Sequence, residues 1–374
     1  MSLIIDLTAH SAAYATRLFA ETGHRVVRVE SPAGDSLRRT GPFLHNRPEL
    51  ENGAYHQFLN AGKESLTIDL KTSSGQKIFY DLLKKSVALI ANLPLPLDQK
   101  ALLDAQPNLV LTLVEDSEPE LCAFARSGLL SLTGHPGERP VLLGGHVIYS
   151  ATGLYVAAAT AAALYVLQQT GQGQVVNVSV RQCLETLNEQ AMVTYATTGK
   201  GTERRGYRGA ITAVSGAFPS SDGYWMISVP HTVEGWDRFM EWVQDPVLMA
   251  DKSLADEAER DEKRDVILNR LELWSKRFPK AELVAESQKR HIPASPVATA
   301  LELAEDPQLL SRGFLTQMDH PRFGPMMFPQ GAIATVLGTR MKPAPTLGQH
   351  NAEILAELGY HESDHRALVE CGAM

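Results

Sequence analysis

The chain has 374 residues, of which 44% are hydrophobic and 21% charged, the balance of a soluble globular protein with more than one domain. Its formal net charge of −8 argues against nonspecific nucleic-acid binding, which needs a basic face. Three widely separated cysteines, Cys122, Cys183 and Cys371, show no CxxC spacing, so the sequence suggests neither a zinc site nor a disulfide framework and favours the cytoplasm.

The first half of the chain alternates strand and helix patterns. The N-terminal "LIIDLT" lacks a basic flank and predicts a strand rather than a signal peptide. "SAAYATRLFAETG" predicts a helix that ends at Gly23, and "HRVVRVE" alternates as a second strand. Further strands are predicted for "SLTIDLK", "SVALIANL" and "NLVLTLV", with the helix "SSGQKIFYDLLKKS" between the first two. This order predicts a parallel sheet covered by helices, and G-x-G-x-x-G does not follow the first strand.

The second half opens with an alanine-rich helix. Its apolar run from Leu154 to Leu167 is short for a membrane span and predicts a buried core helix. The strand "VVNVSV", one long helix "RQCLETLNEQAMVTYATT" and the basic loop "GKGTERRGYRG" follow. "GAFPSSDGYWMISVP" predicts a hairpin, and residues 233–290 are mostly amphipathic helix. "HPRFGPMMFPQGAI" predicts a strand with turns, and the tail predicts two short helices.

Several ordered motifs resemble the family III CoA-transferases, also called the CaiB/BaiF family, which includes the α-methylacyl-CoA racemases. The matching pieces are "IIDLT", "GHRVVRVESPAGDSLR", "NAGKESLTIDLK", "SGLLSLTG", "TGLYVAAATAAALYVLQQTGQGQVVNVSV", "GAFPSSDGYWMIS", "IPASPVATALELAEDPQLLSRGF" and "PAPTLGQHNAEILAELGY". The resemblance rests on their order and spacing over nearly the whole chain rather than on any single piece.

The resemblance implies an α/β fold with a large Rossmann-like domain at residues 1–195 and a smaller α+β domain at 205–330. A C-terminal segment, 335–374, is expected to return to the large domain. The resemblance also implies an interlocked dimer, either of two copies or of this chain with a paralogue. CoA or an acyl-CoA is the implied ligand, with no metal and no covalently bound cofactor.

The catalytic position of the family is altered in this chain. The resemblance implies a nucleophilic aspartate four residues before Gly153, whose carboxylate forms a mixed anhydride and then an enzyme-bound thioester. Tyr149 stands there. A phenol has a pKa of about 10, against about 3.9 for an aspartic acid, and an aryl ester does not carry CoA by the same exchange. We therefore interpret Tyr149 as a packing residue and assign no catalytic residue.

The racemase activity in the family needs a second acid/base group. Counted back from Gly128, the family's Gly-His-Asp segment falls on Glu118 to Glu120, and its histidine position is Pro119. Glu120 keeps a carboxylate where the family has an acid, and we interpret it as structural. His231, after a predicted strand, is interpreted in the same way.

Four residues match the CoA pocket of the family. Arg38, Lys63 and Asn92 match groups that would hold phosphate oxygens and adenine, and His10 keeps a polar group near the pantetheine. The alternative for Arg38 and Lys63 is a surface salt bridge. The pocket is eroded, because the family's next arginine is replaced within "ANLPLP" and the residue after the lysine is Glu64.

Three functions fit this pattern. The first is a non-catalytic subunit of a heteromeric acyl-CoA:carboxylate CoA-transferase, partnered by a catalytic paralogue. The second is an active transferase or racemase with a relocated carboxylate, for which Glu120, Glu138 and Glu185 are the nearest candidates. The third is a CoA-ester binding or regulatory protein. None involves nucleic acid or a membrane.

Overall fold

The structure, a computed structural model, describes residues 2–208 and 212–374. They divide into two compact units. The large unit comprises residues 2–129, Leu143–Val193 and Asp306–Met374, and the small unit comprises Leu130–Leu142 with residues 194–208 and 212–305. Compared with the predicted boundaries, residues 130–142 group with the small unit and residues 306–330 with the large one.

The strands and helices are numbered in chain order. The strands are β1 (Leu3–Leu7), β2 (Arg25–Glu30), β3 (Glu64–Thr67), β4 (Ala88–Asn92), β5 (Val110–Glu115), β6 (Gln174–Ser179), β7 (Ser215–Ser220), β8 (Gly223–Ser228), β9 (Ala294–Pro296), β10 (Leu315–His320) and β11 (Gly324–Pro329). The helices are α1 (Ala13–Glu21), α2 (Ala54–Asn60), α3 (Ser73–Leu83), α4 (Gln99–Ala105), α5 (Glu120–Arg126), α6 (Val147–Thr170), α7 (Val180–Thr186), α8 (Glu189–Thr198), α9 (Val233–Val243), α10 (Pro246–Ala250), α11 (Glu257–Glu262), α12 (Arg264–Ser275), α13 (Lys280–Lys289), α14 (Ala300–Ala304), α15 (Pro307–Ser311), α16 (Ala332–Leu337), α17 (Asn351–Glu357) and α18 (Glu362–Glu370).

The large unit is built on one parallel sheet with the strand order β3-β2-β1-β4-β5-β6. This is the order of the doubly wound Rossmann folds, so the predicted α/β fold is confirmed. The central strands are apolar on both faces: Ile4, Ile5, Leu89 and Ile90 are all fully buried. Near-continuous apolar strands are typical of a parallel sheet that helices cover on both sides.

The hairpin β10–β11 belongs to the large unit because polar side chains tie it to the segment around α2. The ring of His320 hydrogen-bonds Gln57 Oε1 at 2.9 Å, and Arg322 Nε donates to Asn52 Oδ1 at 3.0 Å. These bonds join residues more than 250 positions apart in the chain, a pairing that local sequence patterns do not reveal.

Helix α6 packs on the large unit through a stripe of small residues. A Cβ at Gly153 would lie 2.8 Å from Tyr14 Cβ, so glycine lets α6 approach α1 closely. On the same stripe Thr160 Oγ1 lies 2.8 Å from Thr112 Oγ1 of β5. The opposite face leaves Leu154 and Tyr165 exposed. The predicted core helix is therefore buried on one face only; by length and composition alone it is long enough to cross a membrane.

The helix predicted after β6 is broken into α7 and α8. The break falls at Leu187 and Asn188, and Asn188 Nδ2 donates to the carbonyl of Ser127 at 3.2 Å. This side-chain bond to a neighbouring segment favours a turn over a continuous helix.

The small unit has its own core. Its antiparallel sheet has the order β7-β8-β9, which contains the predicted hairpin. Trp225 of β8 and Phe218 of β7 are fully buried and pack with Phe239 of α9 and Leu271 of α12. The amphipathic helices predicted for residues 233–290 thus cover one face of this sheet.

A network of buried charges is centred on Asp6 of β1. The carboxylate of Asp6 accepts a bond from Lys63 Nζ at 2.8 Å and lies 3.1 Å from Arg28 Nη1, and all three side chains are almost fully buried. Burial alone raises the pKa of Asp6, but the charges of Lys63 and Arg28 more than offset it and hold the pKa well below its usual range. The Asp6 carboxylate is therefore charged in the folded protein.

We expect Lys63→Met to lower the free energy of unfolding by about 3 kcal/mol, because it removes one partner of a buried ion pair. Lys77→Met, which removes an exposed ion pair with Asp81, is the matched control and should cost less than about 1 kcal/mol. Urea unfolding at neutral pH measures both values, and equal costs would contradict a structural role for Lys63.

The same network predicts that the stability of the folded protein falls at acid pH. Because the pKa of Asp6 is lowered in the folded state, its contribution is present above the ordinary aspartate pKa of about 3.9 and is lost as the pH falls below it. Urea unfolding between pH 5 and 3 should therefore show a steeper loss of stability for the natural chain than for Asp6→Asn.

Candidate functional site

The switch point of the sheet lies between β1 and β4, where the strand order reverses. In open α/β sheets, ligands bind outside the carboxyl ends of the strands at such a point. The loop after β1 carries His10, and Asn92 ends β4. Asn92 Oδ1 accepts a bond from the Ala9 amide at 2.7 Å, and its Nδ2 donates to Ser11 Oγ at 2.8 Å. The structure thus brings two predicted CoA-pocket residues, His10 and Asn92, to this edge.

Four aromatic rings cluster beside that loop. The ring of Tyr149 lies 6.3 Å from that of His10 and 6.2 Å from that of His146, with which it is nearly parallel. The Tyr55 ring from α2 stacks on His146 at 4.6 Å and lies 6.0 Å from His10. Tyr149, which the sequence resemblance aligns with the family aspartate, therefore lies among two imidazoles and one further phenol.

Both phenols of this aromatic cluster are held in the neutral form. Burial, with smaller effects from the charges of Asp116 and Glu120, raises the pKa of Tyr149 to about 12. Burial and the charge of Glu120 raise the pKa of Tyr55 to about 12 as well. At neutral pH each phenol is a hydrogen-bond donor and a poor nucleophile.

The pKa of His10 is lowered in this environment, chiefly by burial and then by the charge of His146. The ring of His10 lies 3.3 Å from Thr40 Oγ1. A lowered pKa favours the neutral imidazole, which both donates and accepts hydrogen bonds.

Glu120 lies in the same cluster. It is the first residue of α5, and its carboxylate Oε2 is 3.5 Å from His146 Nδ1. Of the three acidic residues considered as relocated carboxylates, it is the one that the described contacts place beside Tyr149. Glu185 pairs with Arg181 one turn away on an exposed face of α7, and Glu138 lies exposed in the small unit.

Arg38 is not placed to receive a phosphate. Its guanidinium is fully buried and donates to both oxygens of Glu30 at 2.7 and 2.8 Å, to Glu51 Oε2 at 2.7 Å and to the carbonyl of Pro345 at 3.2 Å. A phosphate would have to displace one of these two carboxylates. The alternative interpretation, an ion pair, fits the geometry, but the pair is buried rather than on the surface.

Lys63 is enclosed in the same way. Besides Asp6, its ammonium contacts Thr16 Oγ1 at 2.7 Å, Asn60 Oδ1 at 2.9 Å and the carbonyl of Ala13 at 3.2 Å. An ammonium has three protons to donate, and four acceptors surround it here. The predicted contact of Lys63 with CoA phosphate does not fit this environment, because no proton is left to donate.

The other candidates lie in the small unit. His231 Nδ1 lies 2.5 Å from Glu257 Oε1 in an exposed pair, which agrees with a structural role. In the basic loop, Arg204 donates to the carbonyls of Ser131, His135 and Glu138. This arginine fastens the loop to a neighbouring segment of the same unit. Within residues 2–208 and 212–374, no group of three or more His, Cys, Asp or Glu side chains could hold a metal ion.

The sequence analysis missed Tyr55 and His146. His146 precedes Tyr149 by three residues, the spacing that places two side chains on one face of a helix. That spacing was a usable signal. Tyr55 lies more than 90 positions away, and no local pattern connects it with Tyr149.

The comparisons with known proteins cover the whole chain. The sequence model of CoA-transferase family III matches residues 3–351. Succinyl-CoA:(R)-benzylsuccinate CoA-transferase subunit BbsE of Thauera aromatica is 29% identical and aligns with 99% of this chain and 97% of its own length. The alpha subunit of succinyl-CoA–L-malate CoA-transferase of Chloroflexus aurantiacus is 27% identical over 92% of this chain and 85% of that protein.

A solved structure has the same fold. A CaiB/BaiF family protein from Brucella suis superposes with a TM-score of 0.82 at 25% identity, covering 96% of this chain and 98% of that one.

The neutral phenols generate a prediction. We expect Tyr149 to stay protonated up to about pH 11, because burial and two nearby carboxylates raise its pKa to about 12. The absorbance of phenolate near 295 nm, recorded for the natural chain and for Tyr149→Phe, should give a difference that grows only above pH 11. A difference with a midpoint near 10, the value of free tyrosine, would contradict the described environment.

Proposed function

The chain belongs to CoA-transferase family III, and from this membership we propose that it is the non-catalytic subunit of a heteromeric acyl-CoA:carboxylate CoA-transferase. Its partner is a paralogue that carries the catalytic aspartate. The observation that carries the proposal is Tyr149, a half-buried neutral phenol at the position that the resemblance assigns to the nucleophile.

The chemistry of Tyr149 supports this role. The family relay needs a carboxylate that is ionised at neutral pH and forms an anhydride, since only an anhydride passes its acyl group back to CoA. With a pKa of about 12, Tyr149 is un-ionised there by about five pH units. The aligned position therefore cannot run the covalent exchange.

The names of two similar proteins support the role of a subunit. Two similar proteins, from Thauera aromatica and Chloroflexus aurantiacus, are named as subunits of CoA-transferases. A chain that assembles with a catalytic paralogue can lose its own nucleophile while the complex stays active. The family fold is then kept for assembly.

The surface of the large unit supports a partner. On α6, Leu154, Tyr165 and Val166 are exposed, and Leu187 and Met192 are exposed just beyond it in the chain. Exposed apolar side chains in this part of the large unit support the proposal that its surface is a protein interface. We propose that the partner covers it in an interlocked dimer, as the family resemblance implies.

The proposed ligand is CoA or an acyl-CoA at the switch point. With Arg38 and Lys63 engaged in buried ion pairs, His10 and Asn92 are the predicted pocket residues that remain at the edge of the sheet. This leaves fewer charged contacts for the CoA phosphates than the family pattern implies, and supports weak binding by the isolated chain.

A second candidate function rests on Glu120. Its carboxylate lies in the aromatic cluster, so it is the residue that would serve if the nucleophile were relocated. The third candidate, a CoA-ester binding or regulatory protein, shares the pocket but needs no partner enzyme.

Reconstitution tests the proposal. The chain should co-purify with an aspartate-bearing paralogue, and CoA transfer between carboxylic acids should appear only in the complex. Tyr149→Phe should leave the complex active, since the phenol takes no part in the relay. Tyr149→Asp should not make the isolated chain active, because the pocket also lacks the family's binding groups.

Hydroxylamine trapping identifies the nucleophile during turnover of the complex. Mass spectrometry should find the hydroxamate on the paralogue's aspartate. A hydroxamate on Glu120 or another acid of this chain would show a relocated nucleophile and overturn the non-catalytic assignment.

A further inference from the structure

We infer that Glu120 and His146 form a carboxylate–imidazole pair that gives this chain a second activity, the hydrolysis of CoA thioesters. The inference rests on the proposed function for one point only, that a CoA thioester reaches the aromatic cluster. It does not involve the covalent relay, which Tyr149 cannot perform.

The first observation is a pair of unsatisfied polar atoms. His146 Nδ1 and Glu120 Oε1 are both buried and make no hydrogen bond within the part of the chain that the structure describes. The other carboxylate oxygen, Oε2, is 3.5 Å from Nδ1. Buried polar atoms are nearly always hydrogen-bonded, so an unsatisfied atom on each member of this pair needs an explanation. Catalytic hydrogen bonds are often long without substrate and shorten when it binds.

The second observation is the backbone of His146. Its φ of 55° lies in the left-handed region, which costs energy for a residue with a side chain. His146 also occupies the N-cap of α6, a position where a polar side chain usually accepts a bond from the helix. In the described structure its side chain makes no such bond. The ring is directed to the cluster instead, where it stacks on Tyr55 at 4.6 Å.

The third observation is the exposure of the pair. The His146 side chain is 39% exposed while Glu120 is only 19% exposed. The carboxylate is therefore less accessible than the imidazole, and part of the ring is open to a ligand or to water. A histidine oriented by a less accessible carboxylate is the arrangement that general bases use in acyl transfer.

The proposed reaction is balanced without any cofactor. His146 accepts a proton from water through Nε2, while Glu120 holds the proton on Nδ1. The hydroxide oxygen forms a bond to the thioester carbonyl carbon. The tetrahedral intermediate then breaks its carbon–sulfur bond, and the imidazolium returns the proton to the CoA thiolate. The products are a carboxylic acid and CoA.

The remaining requirement is stabilisation of the oxyanion, and the two phenols supply it. Negative charge develops on the carbonyl oxygen of the thioester, and neutral hydrogen-bond donors close to that oxygen stabilise it. The rings of Tyr55 and Tyr149 flank the same imidazole, and their hydroxyls are held protonated. Replacement of the family aspartate by a phenol thus exchanges a nucleophile for a hydrogen-bond donor.

The test measures CoA release from butyryl-CoA with a thiol reagent. The full chain is assayed alone and in complex with a paralogue whose catalytic aspartate is replaced by alanine, so that this chain supplies the reaction. We expect release above the buffer background that falls about 100-fold in His146→Asn, the scale of a lost general base. Asparagine tolerates the left-handed backbone, which keeps the variant folded.

Glu120 acts through His146 and is a positioning residue, so its variant needs a separate readout. Glu120→Gln should lower kcat at least 10-fold with the KM for butyryl-CoA unchanged. Glu185→Gln, on an exposed face of α7, and His365→Gln, on α18, are matched controls and should keep the full rate. Equal rates for the natural chain and His146→Asn, or release at the buffer rate, would overturn the inference.

A single turnover in ¹⁸O-labelled water separates a general base from a nucleophile. With hydroxylamine present, direct attack by water places the label in butyrate and leaves Glu120 unlabelled and unmodified, whereas an anhydride would be trapped as a hydroxamate even where water attacks only its butyryl carbon. Label in Glu120 would mean that the carboxylate attacks the thioester itself, which contradicts the general-base role.

The outcome is independent of the proposed subunit function. Loss of hydrolysis leaves CoA transfer by the reconstituted complex intact, and failure of reconstitution leaves hydrolysis measurable.

Discussion

The buried carboxylate of Asp6 is the interaction on which the large unit depends. It lies in the central strand β1, pairs with Arg28 of β2 and binds Lys63, which precedes β3. Lys63 in turn contacts Thr16 of α1. One charge thus connects three neighbouring strands and the helix that follows the first of them. Left unpaired, any of these charges would be costly inside the sheet. The network therefore keeps its segments together, and with them the loop after β1 that carries His10.

A close helix contact places the rest of the site. Gly153 lets α6 lie against Tyr14 of α1, and this contact brings the first turn of α6 to the switch point of the sheet. His146 and Tyr149 enter the aromatic cluster through that turn. Both phenols of the cluster are un-ionised at neutral pH, so they act as hydrogen-bond donors rather than as nucleophiles.

The regular elements of the fold were predictable because each is encoded by a local pattern. The strands around Ile5 and Leu89 are apolar runs between turn residues, and the helices between them show helical spacing. Where the structure departs from the local pattern, a distant side chain is the reason. Asn188 interrupts the expected long helix by bonding Ser127, and His320 joins its hairpin to Gln57 of the large unit.

The sequence by itself determined the family and the α/β class, because motif order and spacing are properties of the chain. It also predicted His10 and Asn92 as pocket residues, and these lie in the loop after β1 and at the end of β4. Only the tertiary structure decided that Arg38 and Lys63 are engaged in buried ion pairs and that Glu120 lies beside His146. The reason is physical: a charged side chain acts according to its partners and its access to solvent, and both are set by segments that meet only when the chain folds.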